Sequence, residues 1–145
     1  MSSDEIYTPK WIFDALGLVF DLDVASSHHP LISVPAANLF TIEDDGLTRL
    51  WFGNVWMNPP YSKPAPWVDK WLDHKSGICL VPVSSNGKWV NKLWDSEAAV
   101  MYLPPNMPFQ GSDGRIAKMR WRVALWAIGE TNITALKMSG LGRIR

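Results

Sequence analysis

Phe52-Gly53-Asn54-Val55-Trp56-Met57-Asn58-Pro59-Pro60-Tyr61 is the stretch on which the reading of this chain turns. Phe52–Met57 reads as a strand, and the two prolines after Asn58 end it because neither can donate to a β-ladder. Downstream, Pro64–His74 puts Trp67, Val68, Trp71 and Leu72 on one side of a helix, and Ile78–Val83 returns as a strand. Strand, helix, strand is the unit of a parallel sheet, and in such sheets ligands sit beyond the carboxyl ends of the strands. Asn58 stands at one of those ends.

The residue types there suit chemistry on an amine. The Asn58 amide oxygen can accept one hydrogen of an exocyclic amino group, and the prolines fix the backbone so that a carbonyl can accept the other. A planar ring amine is a poor nucleophile, so acceptors on both hydrogens would push density toward a methyl donor and stabilise developing positive charge. Tyr61 would supply a flat face. The structural alternative is a turn: Asn-Pro starts turns, two prolines stop a strand, and a tyrosine after them can cover its end.

Working outward, Thr8-Pro9 fits a helix start with Thr8 as N-cap and Pro9 at the first helical position, and Gly17 fits its stop. Val19–Asp23 alternates as a strand ending in a carboxylate, which would hold ribose hydroxyls or a charged amine, or cap a loop. An irregular stretch is expected to about Leu50. Lys88–Asp95 reads as one or two helical turns, and Ala98–Leu103 and Trp121–Ile128 as strands around a loop with Pro104, Pro105, Asn106 and Pro108. The pattern predicts a parallel sheet covered on both faces. Trp67, Trp71, Trp89 and Trp94 recur at helical spacing and are expected in the core.

At 145 residues, 47% hydrophobic and 19% charged, the chain is expected to form one globular domain over residues 1–145. No run approaches the roughly 20 apolar residues of a membrane span, and the start Met-Ser-Ser-Asp-Glu lacks a signal-peptide core, so a cytoplasmic location is expected. Cys79, the single cysteine, lies in an apolar strand and reads as a buried thiol, and the three histidines offer no zinc spacing. Net charge is zero, but residues 115–145 carry seven basic groups against Glu130, a balance of +6, and residues 1–114 therefore sum to −6. A basic end suits phosphate contacts and steering; the alternative is a solvated face paired with the acidic part.

Taken together, Thr8-Pro9, Phe20-Asp21-Leu22-Asp23-Val24-Ala25-Ser26, Phe40-Thr41, Asp44-Asp45-Gly46-Leu47, Trp51, Val55–Tyr61 and Trp67-Val68 resemble the phage-type Dam DNA N-6-adenine methyltransferases, in order and spacing, over roughly residues 7–110. The resemblance implies a compact Rossmann-like α/β sheet with helices on both faces, S-adenosylmethionine as cofactor, and methyl transfer to the N6 of adenine in DNA. It implies a phage origin and action in the host cytoplasm. Carried over by residue, it makes Asn58, Pro59, Pro60 and Tyr61 the catalytic segment, with the Asn58 amide and Pro59 carbonyl as acceptors and Tyr61 stacking on the base. Tyr7, Thr8, Pro9, Asp23 and Ala25 fall to the cofactor, Thr8-Pro9 along its methionine part. Asp45 fits the contact to the cofactor's adenine, with Asp44 nearly as good. Ala25-Ser26-Ser27 stands where generic Rossmann enzymes carry a Gly-x-Gly loop, as the family's own version also tends to do, and Met119–Val123 departs from the proline-and-serine run expected of the family.

For the nucleic acid, Phe109 is a candidate second wall for the base or an aromatic packed in a hairpin. Arg115, Arg120 and Arg122 around Trp121 suit phosphates and a flipped nucleotide. The paired N6 group requires base extrusion. A dimer would double the contact area of so small a domain. The same tetrapeptide would serve methylation of RNA or of a protein glutamine amide, and the chain's size would suit a cofactor- or DNA-binding module without turnover.

Overall fold

The computed structural model describes residues 8–26, 34–83, 87–104, 108–110, 116–118 and 122–144. A seven-stranded sheet forms its centre. Helix α1 (Lys10–Leu16) precedes β1 (Phe20–Asp23) and β2 (Ala36–Leu39). After β3 (Val55–Met57) come α2 (Ala65–His74), β4 (Gly77–Pro82), α3 (Lys88–Trp94) and β5 (Ala99–Tyr102). A small antiparallel pair, β6 (Pro108–Gln110) and β7 (Ile116–Lys118), is followed by β8 (Val123–Ile128), α4 (Glu130–Met138) and β9 (Arg143–Ile144).

The strand order is β2-β1-β3-β4-β8-β5-β9. Strands β2, β1, β3 and β4 are parallel, as expected, but β8 inserts between β4 and β5 antiparallel to both, and β9 is antiparallel to β5. The sheet is therefore mixed, not wholly parallel. The physical reason is the connection: the described residues between β5 and β8 include the β6–β7 pair and no crossover helix, and the chain re-enters at the edge where it left and runs back. Two further expectations are corrected: the irregular stretch to Leu50 contains β2, and β3 begins at Val55, because Phe52–Asn54 form a loop in which Gly53 has φ +65°. After Ile128, where the sequence pattern assigns no element, the chain forms α4.

Side chains alternate between two packed faces. Trp56, Ile78, Leu80, Met101, Val123, Leu125 and Ala127 face Ile12, Phe13 and Leu16 of α1 and Leu136 of α4. Val55, Met57, Cys79, Val81, Val100, Ala124, Trp126 and Ile128 face Val68 and Trp71 of α2 and Leu93 of α3. The architecture is a Rossmann-like α/β sheet with helices on both faces. Trp71 is fully buried and Trp67 and Trp89 pack on the second face, whereas Trp94 is 52% exposed and only edges onto Trp126, so it caps the core rather than filling it. Cys79 is buried and its thiol is pushed up by desolvation, as an inert core sulfur should be. Among the described residues no helix is long and apolar enough to cross a membrane, and no cluster of potential metal ligands occurs.

Two polar devices hold the frame. At the amino end of β3, Asn54 and Asn132 exchange amide hydrogen bonds (2.8 and 2.7 Å), Asn132 also donates to the Ile128 carbonyl (2.9 Å), and the Ser76 hydroxyl donates to Asn54 Oδ1 (3.2 Å). This ties α4 to β3 across 78 positions. At the other end, Gly46 lies so close to β1 that a Cβ there would stand 2.2 Å from the Val24 carbonyl and 3.2 Å from the Trp67 ring. Its carbonyl accepts from Trp51 Nε1 (2.8 Å), and Lys70 Nζ donates to the Leu47 carbonyl (2.8 Å) and to that of Arg49 while lying 5.2 Å from the Trp51 ring centre.

Asn132→Ala leaves the Asn54 amide without its buried partner and is expected to destabilise the fold by about 2–3 kcal/mol in urea unfolding; a change below ~0.5 kcal/mol would deny the network that role. Gly46→Ala must push the 46–49 loop off β1, and thermal unfolding is expected to report a loss of about 1–3 kcal/mol.

Candidate active site at the carboxyl edge of the sheet

The ends of β1 and β3 set the geometry. Trp56 is buried in the sheet, and its carbonyl accepts the Val24 N–H (3.2 Å), which locks the residue after Asp23 beside the strand leading to Asn58. On the other side, the Phe40 N–H donates to the Asp23 carbonyl and the Ser26 N–H to the Phe40 carbonyl, both 2.8 Å, so the turn over 23–26 is held by strands on both flanks. Gly46 brings the Asp44-Asp45 turn against Val24. Asp23, Ala25, Asp44 and Asp45 thus belong to one neighbourhood.

Asn58 is half-buried, and its Nδ2 donates to the Thr8 hydroxyl (3.4 Å). That bond directs the amide, leaving Oδ1 as its acceptor. It also corrects the expected helix cap: α1 begins at Lys10 with Pro9 in the cap position and no side-chain cap, because the buried Thr8 hydroxyl serves Asn58 instead. Pro9 and Pro59 are buried. The turn after β3 closes through Lys63 N–H to the Pro60 carbonyl (3.2 Å), so it does not consume the Pro59 carbonyl. Tyr61 is half-buried on the α1/α4 face, with its hydroxyl donating to the Leu80 carbonyl (3.3 Å), which fixes the ring.

Electrostatically, the turn after β1 is unusual. Asp23 is 4% exposed, and desolvation pushes its carboxyl up to about 7 against one opposing contact, the Ala25 N–H at 3.2 Å. Ser26, also buried, has a hydroxyl with no partner. An under-satisfied acceptor and an unused donor, three residues apart in one turn and both shielded from water, fit a ligand that brings both a donor, best a cation, and an acceptor. The two acidic candidates of the next turn differ: Asp44 Oδ2 accepts from the Thr41 N–H (2.9 Å) and hydroxyl (3.2 Å), a structural use, while Asp45 is exposed in the left-handed region (φ +55°) and faces the Lys70 charge.

Arg122 is exposed at the start of β8, where its carbonyl accepts the Val83 N–H (2.7 Å), and so lies on the same edge of the sheet as Asn58. Phe109 lies in β6 opposite Ala117, in the excursion that leaves and re-enters at that edge. Tyr7, Arg115, Arg120 and Trp121 lie outside the described residues. A groove of ≈ 540 Å³ between α2 and α3, lined by Asp69, Leu72, Asp73, Lys92 and Asp95, lies toward the opposite end of the strands and is acidic; it is not part of this site. Sequence reasoning missed Ser26, Gly46 and Lys70. Gly46 had a local signal in its Asp-Asp-Gly turn, whereas nothing beside Lys70 marks it as the clamp of a loop 21–24 positions earlier.

Residues 1–123 match the family described as DNA N-6-adenine-methyltransferase (Dam). A protein named DNA N-6-adenine-methyltransferase from Haemophilus phage HP1 (strain HP1c1) is 31% identical over 106 residues, covering 66% of this chain and 60% of that protein. One of the same name from Escherichia phage T1 is 28% identical over 94 residues, covering 61% of this chain and 38% of its own length. The chain thus spans less than two thirds of either relative, and no solved structure matches it. With the family match extending over the β1 turn, the Asp44–Gly46 turn and Asn58–Tyr61, the chain belongs to the DNA N-6-adenine-methyltransferase (Dam) family.

Proposed function

We propose that this chain transfers the methyl group of S-adenosylmethionine to the N6 amine of adenine in DNA, within a single methyltransferase domain. The observation that carries the reading is the Asn58 amide, turned by Thr8 so that its oxygen is the acceptor, next to a Pro59 carbonyl left out of the turn's own bonding. Those two oxygens accept the two hydrogens of the target amine, draw its lone pair out of ring conjugation and hold it in one orientation. Tyr61, fixed by packing and by Leu80, offers the face on which an extruded adenine stacks, offsetting part of the unstacking cost of a few kcal/mol. The names of the phage relatives support DNA as the substrate.

Bound S-adenosylmethionine supplies an activated methyl on a sulfonium. The residues that would hold it are those around the β1 turn: Asp23, the one buried carboxylate among the described residues, facing its positive charge, with Thr8-Pro9 alongside and Asp45 nearer its adenine. A desolvated Asp23 favours a cation, because a neighbouring positive charge restores the ionised form that burial disfavours. Arg122, and the basic residues of the 115–121 segment, would contact phosphates.

Asn58→Ala is expected to lower the yield of N6-methyladenine, quantified by mass spectrometry after digestion of treated DNA, by roughly 10²–10³-fold. Full activity in that variant would move the acceptor role elsewhere, and cofactor binding without methylation by the wild type would favour RNA, a protein amide or a silent module.

Asp23 also predicts a pH dependence. Its native pKa, about 7, lies above that of the unfolded chain, so its contribution to stability is fully present below pH ~4 and is lost as pH rises through 7, a change of about 4 kcal/mol. Asp23→Asn is expected to flatten that loss, raising the melting temperature of the ligand-free protein at pH 8, while weakening S-adenosylmethionine binding at least tenfold in calorimetry. Unchanged affinity would remove Asp23 from the cofactor site.

A further inference from the structure

The turn after β1 is where an open α/β sheet ordinarily presents backbone N–H groups to its ligand, with glycines allowing the close approach. Here those donors are already used. The Val24 N–H goes to the Trp56 carbonyl (3.2 Å), the Ala25 N–H to Asp23 Oδ1 (3.2 Å) and the Ser26 N–H to the Phe40 carbonyl (2.8 Å). No glycine interrupts residues 23–26, so the turn has no spare conformation in which to redirect them. What remains on this segment is one side-chain donor, the Ser26 hydroxyl, on a residue only 6% exposed, with no partner among the described residues. Buried hydroxyls without a partner are rare because they forfeit their hydration and gain nothing in return.

We infer that the Ser26 hydroxyl is the donor through which this turn binds the cofactor, hydrogen-bonding an oxygen acceptor of S-adenosylmethionine where related sheets use backbone N–H groups. The inference rests on the cofactor reading above and adds a residue to it. Ser26 and Asp23 then work as a pair, one donating to an acceptor and one accepting from a donor or facing a cation, from opposite ends of a turn whose backbone is fixed by β2 and β3. Two parts of the ligand offer such an oxygen: the amino-acid carboxylate and the ribose hydroxyls.

The test is calorimetric binding to the full chain, with S-adenosylhomocysteine and with 5′-methylthioadenosine, which keeps the ribose but lacks the amino-acid end. Ser26→Ala is expected to weaken S-adenosylhomocysteine binding about tenfold, the loss of roughly one net hydrogen bond, with a ligand-free melting temperature equal to or above that of the wild type, since an orphaned polar group has been removed. A penalty confined to S-adenosylhomocysteine assigns the bond to the carboxylate; an equal penalty with methylthioadenosine assigns it to the ribose. An S-adenosylhomocysteine Kd within twofold of wild type overturns the role of Ser26 while leaving the proposed function intact. Failure of the wild-type protein to bind any of these ligands overturns both.

Discussion

The burial of Trp56 fixes where everything else can be. Its indole is 1% exposed, set edge-on to Phe13 of α1 (ring centres 4.7 Å apart) and against Phe20 of β1 (5.7 Å), so β3 cannot slide without expelling the largest side chain of its core layer. The same residue's carbonyl receives the Val24 N–H. One residue therefore sets the height of Asp23 and, two positions on, of Asn58. Phe13 belongs to the helix that follows Thr8-Pro9, and Thr8 returns to contact Asn58. Register, core packing and the direction of the amide are consequences of one buried ring, and a slip of one residue would turn Asn58 to the other side of its strand.

A site at a sheet's carboxyl edge must keep polar groups dry without leaving them satisfied, and this fold does so by exhausting backbone donors before side chains. The turn over 23–26 is bonded to both flanking strands, which makes it rigid and leaves Asp23 and Ser26 short of partners. The opposite end shows the contrary pattern. There Asn54, Asn132 and Ser76 satisfy one another. One buried donor there is an exception, the Trp71 Nε1–H beside Gly77, which has no hydrogen-bond partner among the described residues.

Legibility in the sequence followed burial. β4 and β8, covered on both faces, appear as continuous apolar runs and were found to within two residues; β2, an edge strand with three of four residues exposed, has no pattern to read. The direction of β8 was illegible for a different reason: Val123–Ile128 is the same run whichever way it lies, and only its pairing with β4 and β5 decides. α4 had readable ends, Glu130 in its first turn and Lys137 in its last, but its buried face includes Asn132, whose partner is 78 positions away. For the site, Asn58–Tyr61 announced itself by composition. Thr8 was noticed for the wrong bond, because a threonine before a proline looks like a cap until the strand end that claims its hydroxyl is in place. Ser26 shows in the sequence only as part of the Ala25-Ser26-Ser27 run, since the lack of a partner for its hydroxyl depends on the packing that the folded sheet supplies.

Charge distinguishes the two ends of the sheet. Asp69, Asp73 and Asp95 line the groove between α2 and α3 toward the amino ends of the parallel strands, and Lys92 neutralises only Asp69, at 2.8 Å. Arg122 stands at the other end, beside the edge that carries Asn58, within the part of the chain that holds seven of the fourteen basic residues. With zero net charge there is no overall attraction to a polyanion, so steering under the proposed function would fall to local groups such as the exposed Arg122. Under the function proposed above, a duplex approaching the three-aspartate groove would meet repulsion, whereas one approaching the Arg122 edge would meet a cation on the edge that carries Asn58.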